Sequence, residues 1–188
     1  MRTFIAIDLP QTVLDALQAL SQRLRHSGAQ ASWVQVHNIH LTLRFLGEIE
    51  PEAAQTLGNA LADRYAPMDA FRLRVSGLGA FPNMRKPSVI WAGIGPIDTG
   101  LTQVQAIAEE ESRRIGVSPE TRAFCPHLTL ARIRDPKHLG CLIDFMKQEA
   151  AFDAGEFLVD HVSLYSSQLT PRGAVYTELR RCPFRSIP

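Results

Sequence analysis

Apolar positions along this chain recur with two periods, and the period changes at recognisable breakers. Thr3 to Ile7 is an apolar run of strand length. After Pro10, Val13, Leu14, Leu17, Leu20 and Leu24 recur at helical spacing, which predicts a core-facing helix stopping near Gly28. Ser32 to Val36 and His40 to Phe45 read as two strands with a short connection. Pro51 opens a second helix to about Arg64, and Phe71 to Leu78 alternates as a half-buried strand does. Gly79 to Pro87 carries the breakers expected of a loop joining two lobes.

The order then repeats as strand 88–94, helix 99–115, strands near 121–125 and 127–133, helix 136–150 and strand 157–165, with a last strand near 174–180. Each half reads strand, helix, strand, strand, helix, strand. That order predicts an α+β fold of the split βαβ kind, with two pseudo-symmetric lobes, about 1–80 and about 88–188, in one bilobal domain. Each lobe is expected to be a mainly antiparallel sheet with helices on its outer face and a cleft between the lobes.

His-Leu-Thr-Leu occurs twice, at His40 to Leu43 and at His127 to Leu130, although histidine appears only 6 times in 188 residues. The surroundings repeat as well. Phe4 precedes the first histidine by 36 residues and Ile90 the second by 37, while Phe71 follows by 31 and Phe157 by 30. This is an internal duplication. In a strand, residues i and i+2 share a face, so His40 and Thr42 project together while Leu41 and Leu43 enter the core. His127 and Thr129 do the same against Leu128 and Leu130. A pseudo-twofold axis between the lobes brings the two imidazoles face to face. Imidazole titrates near neutral pH, so one copy can serve as base and the other as acid in phosphodiester chemistry without metal. Thr hydroxyls and one arginine fork would hold the non-bridging oxygens.

Composition narrows the classes. An apolar fraction of 45% in 188 residues fills a sizeable core. Cys125, Cys141 and Cys182 form no CxxC pair and leave an odd count, which points to reduced thiols in a cytoplasmic protein. The start at Met1 has too short an apolar run for a signal peptide, and no run is long enough for a transmembrane helix. A net charge of +1 excludes a long grip on a phosphate backbone, so any nucleic-acid contact is short. Arg122, Arg132 and Arg134 nonetheless bracket the second motif, and Arg85 and Lys86 sit in the Pro-rich loop.

Four segments carry a family resemblance across nearly the whole chain: Arg2-x-Phe-Ile-Ala-Ile-Asp-Leu-Pro10, His40-x-Thr-x-x-Phe45, Phe81-Pro82 followed by Pro87-x-x-Ile-Trp91, and Pro126-His-Leu-Thr-Leu-Ala-Arg132. They resemble the two-histidine phosphoesterase superfamily, and within it the RNA 2′,3′-cyclic phosphodiesterases, formerly 2′-5′ RNA ligases. The resemblance implies hydrolysis of RNA or nucleotide cyclic phosphate ends to a 2′-phosphate. His40 would be general acid towards the ribose O3′, His127 general base for water, Arg132 the phosphate grip, and Phe45 the stacking partner of the terminal base. Thr42 and Thr129 would be phosphate ligands. No cofactor, metal, membrane or obligatory protein partner is implied; the expected partners are RNA 3′ ends or small cyclic nucleotides, and the expected state is a monomer. Weak reverse ligation and action on another small cyclic phosphate are also compatible with the resemblance.

Phe45 and Arg132 each lie five residues after their histidine, an odd offset that points away from the site in a regular pleat. A bulge or the strand's end has to turn them back. Other chemistries have weaker support. A metallohydrolase built on His37, His40 and His127 lacks a carboxylate or thiolate pair at ligand spacing. Cys125 lies two residues from His127 on the chain, which does not make it a nucleophile. Gly77-x-Gly79 and Gly93-x-Gly95 lack the helix-opening glycine of a dinucleotide fingerprint. A catalytically silent RNA-end or nucleotide-binding module would keep the cleft without turnover.

Overall fold

A computed structural model describes residues 1–135, 137–171 and 173–185. Along them run β1 (Arg2–Ile7), α1 (Gln11–Arg25), β2 (Ala31–Trp33), a 3-10 turn (Val36–Asn38), β3 (Leu41–Glu48), α2 (Pro51–Tyr65), β4 (Phe71–Phe81) and β5 (Val89–Gly95). There follow α3 (Thr99–Arg114), β6 (His127–Ile133), α4 (Leu139–Gln148), β7 (Asp153–Val159), β8 (His161–Thr170) and β9 (Gly173–Pro183). The strands form two antiparallel sheets, in the orders β3-β1-β8-β9 and β2-β6-β5-β4-β7.

The helices follow the apolar stripes. α1 buries Val13, Leu17, Leu20 and Leu24, and packs with α4 and against β7. α3 starts where the Asp98 carboxylate accepts from the Leu101 amide at 3.0 Å, an N-cap that satisfies one orphan donor. It lies beside α2, where the buried Tyr65 hydroxyl donates to the Val104 carbonyl at 2.8 Å. α2 in turn covers β8 and β9. Each helix pair, α1 with α4 and α2 with α3, thus takes one helix from each half of the sequence.

The sheets do not follow the expected division into 1–80 and 88–188. β4, the last strand of the first half, pairs with β5 and β7, while β8 and β9 from the second half pair with β1 and with each other. The last strand of each half completes the sheet of the other. The expected strand 157–165 is accordingly two strands that change sheets at Asp160. The slip is visible in burial: Phe157 and Val159 face one core, Val162 and Leu164 the other, with the alternation shifted by one residue.

Three further boundaries differ. Residues 121–125 are irregular, so the second half lacks a counterpart of β2. β4 continues through Phe81, because Ala80 and Phe81 still pair with Ile90 and Val89. The helix expected over 136–150 is α4, Leu139–Gln148; residue 136 lies outside the described residues.

Gly77-x-Gly79 has a packing explanation. Gly77 has φ +72° at the register shift between β4 and β5, and a Cβ on Gly79 would stand 2.2 Å from the Trp91 ring. Gly79→Ala therefore has to displace a half-buried indole. Its expected cost is roughly 1–3 kcal/mol, the usual range for overpacking, read as a lower denaturation midpoint in urea with an unchanged slope. An unchanged midpoint would mean that Trp91 is not seated against this glycine.

Candidate active site

Both motif strands carry a one-residue bulge at the same place. Ile5 pairs with Arg44 and Ala6 with Thr42, which leaves Leu43 as the extra residue of β3. Ile90 pairs with Ala131 and Trp91 with Thr129, which leaves Leu130 as the extra residue of β6. Each bulge keeps its leucine buried and shifts the pleat by one position. Phe45 and Arg132 are thereby turned to the side of Thr42 and Thr129. Phe45 is 45% exposed, with the Arg2 guanidinium over its ring at 4.8 Å, and is not a core residue.

His40, Thr42, Phe45, His127, Thr129 and Arg132 all line one cavity of about 200 Å³, together with Arg2, Ser167 and Tyr176. A wider arm of about 520 Å³ shares Thr42, Phe45, His127, Thr129 and Arg132, and runs on between Phe81, Val89 and Phe124. His37 is exposed on its 3-10 turn and lines neither arm. Among the described residues no three His, Cys, Asp or Glu side chains cluster as metal ligands would.

The two imidazoles are held alike. Nδ1 of His40 lies 2.9 Å from the Asn38 carbonyl oxygen, and Nδ1 of His127 lies 2.7 Å from that of Cys125. A carbonyl can only accept, so each Nδ1 carries the hydrogen and Nε2 is left to exchange a proton with a ligand. Their walls differ. Phe4 stacks on His40 with centroids 4.6 Å apart, and Tyr176 meets it edge-on at 5.3 Å. Phe81 meets His127 edge-on at 4.8 Å. Burial pushes the His40 imidazole below its ordinary pKa, although the Asn38 carbonyl and the charge of Asp8 oppose the shift.

A family model described as LigT like Phosphoesterase matches residues 7–91 and 94–176. The chain belongs to this family. Each matched segment contains one His-Leu-Thr-Leu. A relative from Methanothermobacter thermautotrophicus, named RNA 2′,3′-cyclic phosphodiesterase, is 30% identical over 95% of this chain and 96% of its own. A solved structure from Thermus thermophilus superposes with a TM-score of 0.79 at 29% identity, covering 98% of each chain. Escherichia coli LigT, crystallised with 3′-AMP, has a TM-score of 0.77 at 27% identity, again over 98% of each chain.

Four residues around the site of this LigT-like phosphoesterase had no site role in the sequence pattern, although Arg2 and Asp8 stand in its first family segment. Arg2 comes from β1, the direct neighbour of β3, and Tyr176 from β9, which reaches the motif strand only through the exchanged β8. Extending the register past Ile7 and Leu41 sets Asp8 across from His40. Burial would raise the Asp8 carboxyl, yet hydrogen bonds from His161 at 3.2 Å, Tyr165 at 2.7 Å and Ser163 at 3.0 Å lower it overall. The strand alternation was the available signal, since Phe4, Ala6 and Asp8 share a face. Arg44 occupies the buried position after the first bulge, with Nε 2.8 Å from Glu109 and a hydrogen bond to the Ser118 carbonyl. It ties β3 to the irregular segment that leads to His127.

The His40 shift has a definite sign. Desolvation disfavours imidazolium, so the folded protein holds His40 neutral down to a pH below the ordinary value of about 6.5. Ring-proton NMR titration of the unliganded protein is expected to give a His40 midpoint below that value, and Phe4→Ala, which admits water, to raise it. A midpoint at or above about 6.5 would contradict the burial account.

Proposed function

We propose that this LigT-like phosphoesterase hydrolyses 2′,3′-cyclic phosphate ends of RNA or nucleotides to 2′-phosphomonoesters, with His40 and His127 as the acid-base pair. The curated relatives are named RNA 2′,3′-cyclic phosphodiesterase. The observation that carries the assignment of roles is the convergence of two equivalently tethered imidazoles, with Arg132 and two threonines, on one cavity.

In this reading Nε2 of His127 takes a proton from water as the water oxygen attacks phosphorus. The P–O3′ bond breaks, and Nε2 of His40 delivers its proton to O3′. Thr42 and Thr129 donate hydroxyl hydrogens to the non-bridging oxygens, while the Arg132 fork supports the charge that builds on them. Phe45 supplies a stacking face for the terminal base. A bound phosphate anion beside His40 favours its imidazolium and so offsets the desolvation of the empty site. Each turnover ends with His127 protonated and His40 neutral, so a proton has to move through solvent before the next. Among the described residues no helix is long and apolar enough to cross a membrane.

Hydrolysis of a cyclic-phosphate-ended RNA with EDTA present tests the reading, with product position assigned by phosphorus NMR. His40→Ala and His127→Ala should each lower turnover by ~10²–10⁴-fold without loss of folding, since both line the cavity and neither belongs to the apolar core. Either variant keeping more than half its activity refutes the acid-base pair. Arg132→Ala should cost on the order of 10²–10³-fold on every cyclic end, as when a charge-stabilising donor is lost, and Arg132→Lys should recover only part of that. Phe45→Ala should raise KM, by roughly 1–3 kcal/mol of stacking, at an unchanged melting temperature. A lowered melting temperature with KM unchanged would assign Phe45 to structure instead.

A further inference from the structure

The narrow arm of the cleft holds more positive charge than a cyclic phosphate can balance. Arg2 and Arg132 both line it, and among the described residues no Asp or Glu does. Among the described residues neither arginine has a carboxylate partner, unlike Arg23, Arg64, Arg74 and Arg185. A nucleoside 2′,3′-cyclic phosphate carries a single negative charge.

The two arms also differ in what they can accept. Arg132, Phe45, His127 and both threonines border both, which makes them the centre. The wide arm continues past Phe81, Val89 and Phe124, and its further arginines, Arg44 and Arg122, are already ion-paired with Glu109 and Glu120. The narrow arm continues to Arg2, Ser167 and Tyr176. Burial raises the Tyr176 phenol while Arg2 and Arg132 draw it back, so the hydroxyl stays a neutral donor within the field of both guanidinium groups. On a ribose whose O2′ and O3′ carry the cyclic phosphate, the base leaves from C1′ and the 5′-oxygen from the C4′ side. With the cyclic phosphate at the centre, the two substituents diverge towards opposite ends of the cleft.

We propose that Arg2, with Tyr176 and Ser167, forms a second phosphate subsite that binds the phosphate on the 5′-oxygen of the terminal nucleoside. Resting on the cyclic phosphodiesterase reading, this names the preferred substrate class as 5′-phosphorylated ends, whether a free 5′-phosphate or an internucleotide diester. Arg2 then has two contacts, the face of Phe45 and the upstream phosphate.

The test compares kcat/KM for adenosine 2′,3′-cyclic phosphate, its 5′-phosphate, and the dinucleotide ApA ending in the same cyclic phosphate. The wild type is expected to prefer both phosphorylated substrates by at least about tenfold, as for a hydrogen bond to a charged group. Arg2→Gln should shrink both ratios to within about twofold, with Tyr176→Phe intermediate. A wild type without preference, a preference for the dinucleotide alone, or an Arg2→Gln variant that keeps the ratio would overturn the subsite. If the wild type hydrolysed none of the three, the cyclic phosphodiesterase reading would fail instead. Calorimetry would then decide the subsite, with adenosine 2′,5′-bisphosphate expected to bind at least about tenfold tighter than adenosine 2′-phosphate in the wild type only; equal affinities would reject it.

Discussion

Leu41 and Leu43 have to be buried while Thr42 and Phe45 have to reach the cleft, and no regular pleat delivers both. A period of two places Phe45 with the leucines. The extra residue at Leu43, and its counterpart at Leu130, removes the conflict, each bulge costing one unpaired ladder position. The rest of the site depends on it. The same backbone device then delivers different chemistry in the two halves. The outward position carries a ring in one strand, Phe45, and a guanidinium in the other, Arg132. The inward position after the bulge holds Ala131 in β6 and the ion-paired Arg44 in β3.

Strand exchange supports this arrangement from behind. β1 is held between β3 and β8, and β5 between β6 and β4, so each motif strand belongs to a sheet that the other half of the chain completes. The two histidines are fixed by backbone carbonyls two residues earlier, and those carbonyls belong to segments with their own tethers. Asn38 donates to the Ala174 carbonyl of β9 at 2.8 Å, and the segment before His127 is bound by Arg44 of β3. Proton-transfer groups placed this way need little reorganisation when substrate arrives.

Local pattern carried the helices, the motif strands and the shared face of His40 with Thr42 and of His127 with Thr129, because helix stripes and strand alternation are properties of short windows, whereas Phe45 and Arg132 came from the family resemblance. It also required a re-phasing device before Phe45 and Arg132 could join the site. What it missed was non-local. That β4 pairs with β5, and β8 with β1, is decided by which sheet edge is open, and nothing within a window of residues records it. The slip of alternation between Val159 and Val162 was a trace of the exchange, hidden by reading one long strand. Segment 121–125 has strand-like composition but pairs with no strand among the described residues, and Arg44 binds Ser118 and Glu120 just before it. Tyr176 was invisible as a site residue for the same reason: it is distant in sequence and reaches the cleft only through the exchanged strands.

The pairing of Thr3 with Ser166 sets a condition on how the molecule is made. During synthesis β1 and β3 emerge early, yet the strand that closes their sheet lies about 160 residues further on, as does the β9 side of the narrow arm. Contacts of such separation carry loop-closure entropy that is repaid only when both ends are present. The first half-motif therefore waits on the ribosome with an open sheet edge, and the cleft is among the last parts of the molecule to exist. Nascent chains stalled before β8 would carry a complete first His-Leu-Thr-Leu and no assembled site.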